Sequence, residues 1–438
     1  MFFGKFKTYH IAKIENKKVT QSGKHPVSVR LPDSFSRFPR ILFPRVSRKK
    51  PPSLKSLISE TMIFGHILFN FMIRKALYQF PQDDGCVRCG LCPNGCLVVP
   101  QGRGLCGTRE NIGGVLYVLN DGVVACEALD PIEKKPLYHF LPGTATYSLG
   151  TFGCNFFCAH CQNHEISRTA AENLSNGADI HLIGMRPARY QELTSEEAVS
   201  RACLSGAESI SFTYNEPSVW YEFVLKTAIA AKEAGLLTVL VTNGFISDAP
   251  LRALLPFIDA YRLDVKAFDP QTYEKISGSP NRPFETVLHS AVLAKEAGCR
   301  IEIVTLLIPG RNDDMNTLKD EFDWIVRLLG DKTPVHLTAY RPNYLSQAPP
   351  TPLRLLKDAA AIADKSGLKH VYIGNADGGS SFSDTYCPTC GAVLIRRDGF
   401  CADIVGISTD GSGTRVCRNC GRSAEADLLL SDERKTDE

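Results

Sequence analysis

The stretch "LGTFGCNFFCAHCQNHEIS", residues 149–167, carries Cys154, Cys158 and Cys161 and offers no fourth cysteine nearby. A structural zinc site closes on four ligands, whereas a reactive metal site keeps one position open. Three thiolates can hold three irons of a cubane [4Fe–4S] cluster, which ordinarily takes four cysteines. The fourth iron is then free to bind a small molecule. A zinc site completed by His160 or His164 is the competing reading, but His160 lies between two of the cysteines, where its side chain is poorly placed to join them.

Two further sets of cysteines have metal-ligand spacing. Cys89, Cys92, Cys96 and Cys106 are four soft ligands that suit either zinc or a second iron–sulfur cluster. Cys86 adds a ferredoxin-like run, yet Leu97 stands where the proline of that motif would follow. Near the C-terminus "YCPTCG" and "VCRNCG" form two C-x2-C knuckles, Cys387 with Cys390 and Cys417 with Cys420, separated by 26 residues. That pattern predicts a zinc ribbon with tetrahedral thiolate coordination. Cys126, Cys203, Cys299 and Cys401 are isolated, as small buried apolar residues commonly are. Close cysteine pairs in a large chain without a recognisable secretory signal favour metal sites in a reducing, cytoplasmic compartment over disulfides.

The elements that must position these residues alternate. "TATYSLGTFG" runs into the opening trio, and "ESISFTYNEP", "LLTVLVTNG", "AYRLDVKAF", "CRIEIVTLLIPG" and "PVHLTAYRP" follow, separated by amphipathic segments. In one of these Thr194 and Glu197 have capping-box spacing; another, "PSVWYEFVLKTAIAAKEAG", closes at Gly235. Repeated strand–helix alternation predicts an α/β fold with a parallel sheet, doubly wound or curled into a barrel. Polar or Gly-containing residues at the strands' C-terminal ends favour the barrel, where that face carries the chemistry. These ends hold Asn215 and Glu216, Thr242 to Gly244, Asp264 and Lys266, Pro309 and Gly310, and Arg341 and Pro342; "HVYIGNA" is a later strand that closes or flanks the same face. Each has a structural competitor: Glu216 as a helix cap, Asn243-Gly244 as a turn, Asp264 and Lys266 as an ion pair on one strand face. His336 reads as an interior histidine.

Composition adds bounds rather than direction. The 438 residues are 44% apolar and 22% charged, with a net charge of +3, which is ordinary for a globular protein and names no special partner. Up to Ser59 the only acids are Glu15 and Asp33, so residues 1–71 read as a basic variable extension or a mis-set start, with Met72 as an alternative beginning. The apolar run "LISETMIFGHILFNFMIRKAL" is interrupted by Glu60, His66, Asn70 and Arg74, too polar for a membrane span. The expected organisation is therefore a Cys-rich region at 72–142, the strand–helix domain at 143–380, the zinc-ribbon module at 381–425 and a disordered tail at 426–438.

From about Met72 to Gly421 the chain resembles the AmmeMemoRadiSam-system radical S-adenosylmethionine (SAM) proteins, relatives of pyruvate formate-lyase activating enzymes. The match is carried by "CVRCGLCPNGCLVVPQGRGLCGTRENIGGVLY", "ALDPIEKKPLYHFLPG", "GTFGCNFFCAHCQNHEIS", "TYNEPSVWYE", "VTNGFI", "DVKAFD", "IPGRNDD" and "VYIGNA". The resemblance implies a partial (βα)6 TIM-type barrel and a [4Fe–4S] cluster on Cys154, Cys158 and Cys161 whose unique iron chelates SAM. Reductive cleavage to a 5′-deoxyadenosyl radical would then take hydrogen from a substrate, with an external one-electron donor such as flavodoxin or ferredoxin. It further implies that Asn215 and Glu216 lie beside the methionine amino group, Thr242 and Asn243 near the ribose or carboxylate, and Asp264 and Lys266 along the cavity below. Kinship with activating enzymes suggests a glycine of a partner protein as substrate; a small molecule fits equally well. Neither a membrane nor nucleic acid is expected as a partner; no basic, aromatic-interleaved surface accompanies the ribbon beyond Arg396, Arg397, Arg415 and Arg418. The alternative of a different class is a multi-metal adaptor that binds iron–sulfur clusters and zinc without cleaving SAM.

Overall fold

The β-branched runs become the strands of one central sheet. In the computed structural model, which describes residues 74–168, 190–376, 382–425 and 427–431, these are β1 (Cys126–Pro131), β2 (Ala145–Gly150), β3 (Ser209–Phe212), β4 (Leu237–Thr242), β5 (Ala260–Val265), β6 (Arg300–Leu307), β7 (Val335–Ala339) and β8 (Val371–Gly374). They lie side by side in chain order. β2 to β8 are parallel, as in the registers Ser211 to Ser148 and Asp264 to Val304, while β1 runs antiparallel to β2. Between them run α1 (Ser195–Leu204), α2 (Tyr221–Glu233), α3 (Asp248–Leu254), α4 (Pro270–Ser277), α5 (Pro283–Glu296), α6 (Met315–Leu328) and α7 (Leu353–Lys365). Helices on a parallel sheet bury its strands, and all four residues of β3 are buried. The expected capping box starts α1: Thr194 Oγ1 accepts from Glu197 N at 3.1 Å and a Glu197 carboxylate oxygen accepts from Thr194 N at 2.8 Å.

The edge strand β1 carries Glu127, Asp130 and Pro131 and none of the β-branched character of the others. Its place depends on the ladder to β2. At the other end of the sheet Glu302 of β6 accepts from the backbone N–H groups of Tyr138 and His139 at 2.9 and 2.8 Å and pairs with His336 of β7 at 2.7 Å. His336 is thus the satisfied interior histidine its position suggested.

Two smaller regions flank the sheet. The Cys-rich region forms two three-stranded antiparallel sheets, one containing Val87–Cys89 and Leu97–Val98, the other Arg109–Ile112 and Val115–Val118. The C-terminal module has its own small core of Leu394, Ile395, Ile407 and Leu428. It is fastened to the main domain by Arg397, which is fully buried, donates to Tyr138 O at 2.7 Å and Thr385 Oγ1 at 2.7 Å, and lies 4.1 Å over the Tyr138 ring. Within the segment expected to be a tail, Leu429 exchanges hydrogen bonds with His139 and Leu141, and Asp427 pairs with Arg422 and Lys332. Residues 432–438 and the expected extension 1–71 lie outside the described residues. Among the described residues no helix is long and apolar enough to cross a membrane.

Candidate functional site

The cysteine trio follows the C-terminal end of β2, on a loop held at several points. Gly153 has φ +85°, and an added Cβ there would stand 2.5 Å from Cys106 O, so both conformation and space require glycine. Asn215, just past β3, clamps this loop from both sides: its Oδ1 accepts from Thr151 N at 3.1 Å and its Nδ2 donates to Gly153 O at 2.8 Å. Phe157 N donates to Ser277 O at 2.7 Å, which ties the loop to the end of α4. Burial pushes the Cys154 thiol up to about 12 and the Cys158 thiol up to about 11. A thiolate here would therefore need a compensating positive charge, which a bound metal would supply while deprotonating the thiol.

Arg168 was not singled out by the sequence. It is buried, its Nη2 donates to Phe156 O, and its guanidinium lies 4.4 Å from the centre of the Phe157 ring. Its Nε and Nη1 find no hydrogen-bond partner among the described residues. Its charge acts to lower the pKa of both Cys154 and Cys158, against their burial. Two unmet N–H donors and a cation beside buried thiols fit an anionic cluster with sulfide acceptors. No sequence pattern marks such an arginine; only the fold brings it to the loop.

The strand ends assemble beside the trio. Glu216, at the end of β3, is 1% exposed and its carboxylate accepts from Ser218 N at 2.9 Å, Thr242 Oγ1 at 2.8 Å and Asn243 N at 2.7 Å. Burial raises its pKa, opposed by those donors. It caps the turn Pro217–Trp220 and braces β3 to β4. Thr242 completes that brace by accepting from Gly244 N at 3.0 Å. Asn243 Nδ2 donates to Asn155 Oδ1 at 2.9 Å and lies 4.0 Å from Cys154 Sγ. On β5 and just beyond it, Asp264 and Lys266 form an ion pair at 3.0 Å, and Arg262 reaches Asp264 at 2.5 Å. Burial alone would raise Asp264, but the two cations hold it below the usual carboxylate range.

His160 is close enough to this charged group to feel Lys266 and Asp264, and burial lowers its pKa to about 4, so the imidazole is neutral. His164 instead stacks on Tyr344 at 4.5 Å. Asn215 thus holds the backbone of the loop, Asn243 and Arg168 stand beside the thiols, and Glu216 and Thr242 lie one contact behind Asn243.

The other cysteine sets differ in geometry. Cys387, Cys390, Cys417 and Cys420 have sulfurs all within 4.8 Å of one another, and two pairs stand 3.7 Å apart. A zinc about 2.3 Å from four tetrahedral sulfurs implies roughly that separation. In each knuckle the glycine after the second cysteine donates back to the first, Gly391 N to Cys387 O and Gly421 N to Cys417 O. Cys89, Cys92, Cys96 and Cys106 line a single enclosed cavity. Cys86 is outside its lining and faces Asp84, whose hydrogen bond raises the thiol pKa.

An α/β domain with a parallel sheet and an open three-cysteine loop after an early strand defines the class. The sequence profile of the Radical SAM superfamily matches residues 149–321. The chain is 39% identical over 359 residues to the uncharacterized protein MJ0808 of Methanocaldococcus jannaschii, a match covering 82% of this chain and all of that one. The chain belongs to the radical SAM superfamily and, within it, to one family with that archaeal protein. It is also 26% identical over 123 residues to the (2S)-3-sulfopropanediol dehydratase activating enzyme of Klebsiella oxytoca, covering 28% of this chain and 38% of that enzyme. Among solved structures, a domain of pyruvate-formate lyase-activating enzyme from Bacteroides vulgatus is 18% identical with a TM-score of 0.34, covering 40% of this chain and 100% of the domain.

Proposed function

We propose that the protein is a radical SAM enzyme of the AmmeMemoRadiSam type, its sheet curled as a partial (βα)6 barrel, that cleaves SAM reductively and takes hydrogen from a substrate. The observation that carries this reading is the loop of Cys154, Cys158 and Cys161 at the end of β2, with Arg168 presenting two unmet N–H groups beside it. When bound, the cluster and SAM supply one-electron cleavage of a carbon–sulfur bond and a 5′-deoxyadenosyl radical.

The chain's own residues bind, orient and shield. The three thiolates hold three irons, and Arg168 balances their charge and donates to sulfur. Asn215 and Asn243 fix the loop against β3 and β4, with Glu216 and Thr242 bracing the turn that carries Asn243. Lys266 keeps one N–H on Asp264 and has others for an anionic group of a ligand; the neutral His160 beside it neither gains nor loses a proton near neutral pH. Kinship with activating enzymes supports a glycine of a partner protein as the hydrogen donor, with flavodoxin or ferredoxin as the one-electron source. Zinc in the C-terminal module fastens the last strands.

The test is anaerobic reconstitution with iron and sulfide, followed by dithionite and SAM. 5′-Deoxyadenosine well above the protein-free control is expected. Product no greater than the control would overturn the reading in favour of a metal-binding adaptor.

A further inference from the structure

Cys89, Cys92, Cys96 and Cys106 suit either one zinc ion or a second iron–sulfur cluster by residue type; the spread of their sulfurs separates the two, and two further observations accord with the cluster. First, all four line one enclosed cavity together with Arg109 and Asn155. Second, their sulfurs are not drawn tightly together. Among the described residues, the C-terminal four form the group of three or more metal-binding atoms gathered within 4.8 Å of one another, at the spacing one zinc requires. The N-terminal four stand wider, as does the Cys154 trio. Thiolates of a cubane bind different irons and so must be wider apart than four ligands of a single ion. Third, Arg109 is 1% exposed and both carboxylate oxygens of Glu222 accept from its Nη2 at 2.9 Å, yet its Nε has no acceptor. A buried donor left unmet costs about 1–3 kcal/mol. Inorganic sulfide of a cluster in the cavity would supply the acceptor.

We propose that Cys89, Cys92, Cys96 and Cys106 hold a second [4Fe–4S] cluster, with Arg109 as a buried cation and N–H donor that raises its reduction potential. Gly104 leaves the space between two of the ligands open; an added Cβ would stand 3.8 Å from Cys96 Sγ and 4.0 Å from Cys106 Sγ. The cavity adjoins the first site directly. Asn155, which lines it, follows Cys154 in the chain, and Cys106 O packs on Gly153. On the radical SAM reading, the second cluster is a relay. A one-electron donor protein of the flavodoxin or ferredoxin class is oxidised by one electron, the second cluster goes from its 2+ to its 1+ state, and it returns to 2+ as the first is reduced. No bond or proton changes in that transfer.

The experiment uses the full chain carrying Cys154→Ala, Cys158→Ala and Cys161→Ala, prepared and reconstituted anaerobically. The expected result is about four irons and four sulfides per chain beside one zinc, with an electron paramagnetic resonance signal after dithionite that disappears on adding Cys96→Ser. An iron-free triple variant holding two zinc ions would overturn the proposal. This readout does not involve SAM, so the two failures are distinguishable. An iron-free triple variant beside an active wild type sinks only the second cluster; a triple variant with its cluster beside a wild type that leaves SAM uncleaved sinks only the radical reading. Arg109→Lys keeps a cation for Glu222 and removes Nε; it should lower the potential of the second signal, and an unchanged potential would remove Arg109 from the proposal.

Discussion

Replacing Glu216 by Gln preserves its shape and tests whether this carboxylate braces the strand ends or binds a ligand. Oε1 accepts from Ser218 N and Thr242 Oγ1, and Oε2 accepts from Asn243 N at 2.7 Å. The Gln carbonyl can keep the first two donors, which turns its NH2 against the Asn243 N–H. One hydrogen bond to a charged group, about 1.5–3 kcal/mol, is lost, and a buried unmet donor costs about 1–3 kcal/mol more. Burial already disfavours the charged carboxylate, so part of this is recovered on neutralising it. The net expectation is a loss of about 2–4 kcal/mol. Chemical denaturation of the metal-loaded protein under anaerobic conditions measures it, with SAM affinity followed in parallel by equilibrium dialysis. Stability should fall by that amount, and SAM cleavage with it, because Asn243 beside Cys154 loses its anchor. If stability stays within about 0.5 kcal/mol while SAM affinity drops tenfold or more, Glu216 is a ligand-binding carboxylate and the bracing argument is refuted.

Cys158→Ala should abolish 5′-deoxyadenosine formation while leaving zinc content unchanged; retained turnover would mean that the trio does not hold the reactive cluster. Cys417→Ser should lower zinc content and the thermal midpoint but spare SAM cleavage in the fraction that stays folded, as measured by metal analysis and calorimetry. Glu321 is buried with Thr305 Oγ1 as its donor at 2.5 Å, and burial raises its pKa from 4.5 to about 7. With the folded value above the unfolded one, its contribution to stability is present below pH 4.5 and is lost as pH rises through 7, a deficit of roughly 3 kcal/mol at alkaline pH. Glu321→Gln should therefore gain stability over the wild type between pH 5 and pH 8 in denaturant titrations; a difference independent of pH would contradict this.

The parallel strands were legible because strands buried on both faces must be β-branched and apolar, as "LLTVLVTNG" and "CRIEIVTLLIPG" are. β1 was not, since "CEALDP" has neither alternation nor bulk and becomes a strand only by pairing with β2. The two knuckles, whose four sulfurs gather, were legible from spacing alone, because metal geometry constrains neighbours in sequence, and spacing likewise drew attention to the cysteine trio. Arg168 and Arg109 were not. Their significance lies in buried N–H groups without acceptors, and burial depends on contacts such as Arg109 with Glu222, 113 positions apart. Glu216 was identified as a residue of interest, and both a ligand role and a capping role were legible in the sequence. The three donors around its carboxylate, two of them from the next strand, could not be.

The contact between Gly153 and Cys106 links the two N-terminal cysteine loops physically as well as by proximity. With φ at +85° and Cys106 O filling the place of a Cβ, the backbone before Cys154 packs directly on the Cys106 loop with no room for a side chain between them. The Cys106 loop is in turn held by Thr108, whose hydroxyl lies 3.2 Å from Cys106 Sγ and donates to Val219 O at 3.2 Å. Val219 belongs to the turn that Glu216 caps. The Cys106 loop, the trio's loop and the β3–β4 brace therefore close a ring of contacts, so that displacing the Cys106 loop should disturb the backbone that presents Cys154.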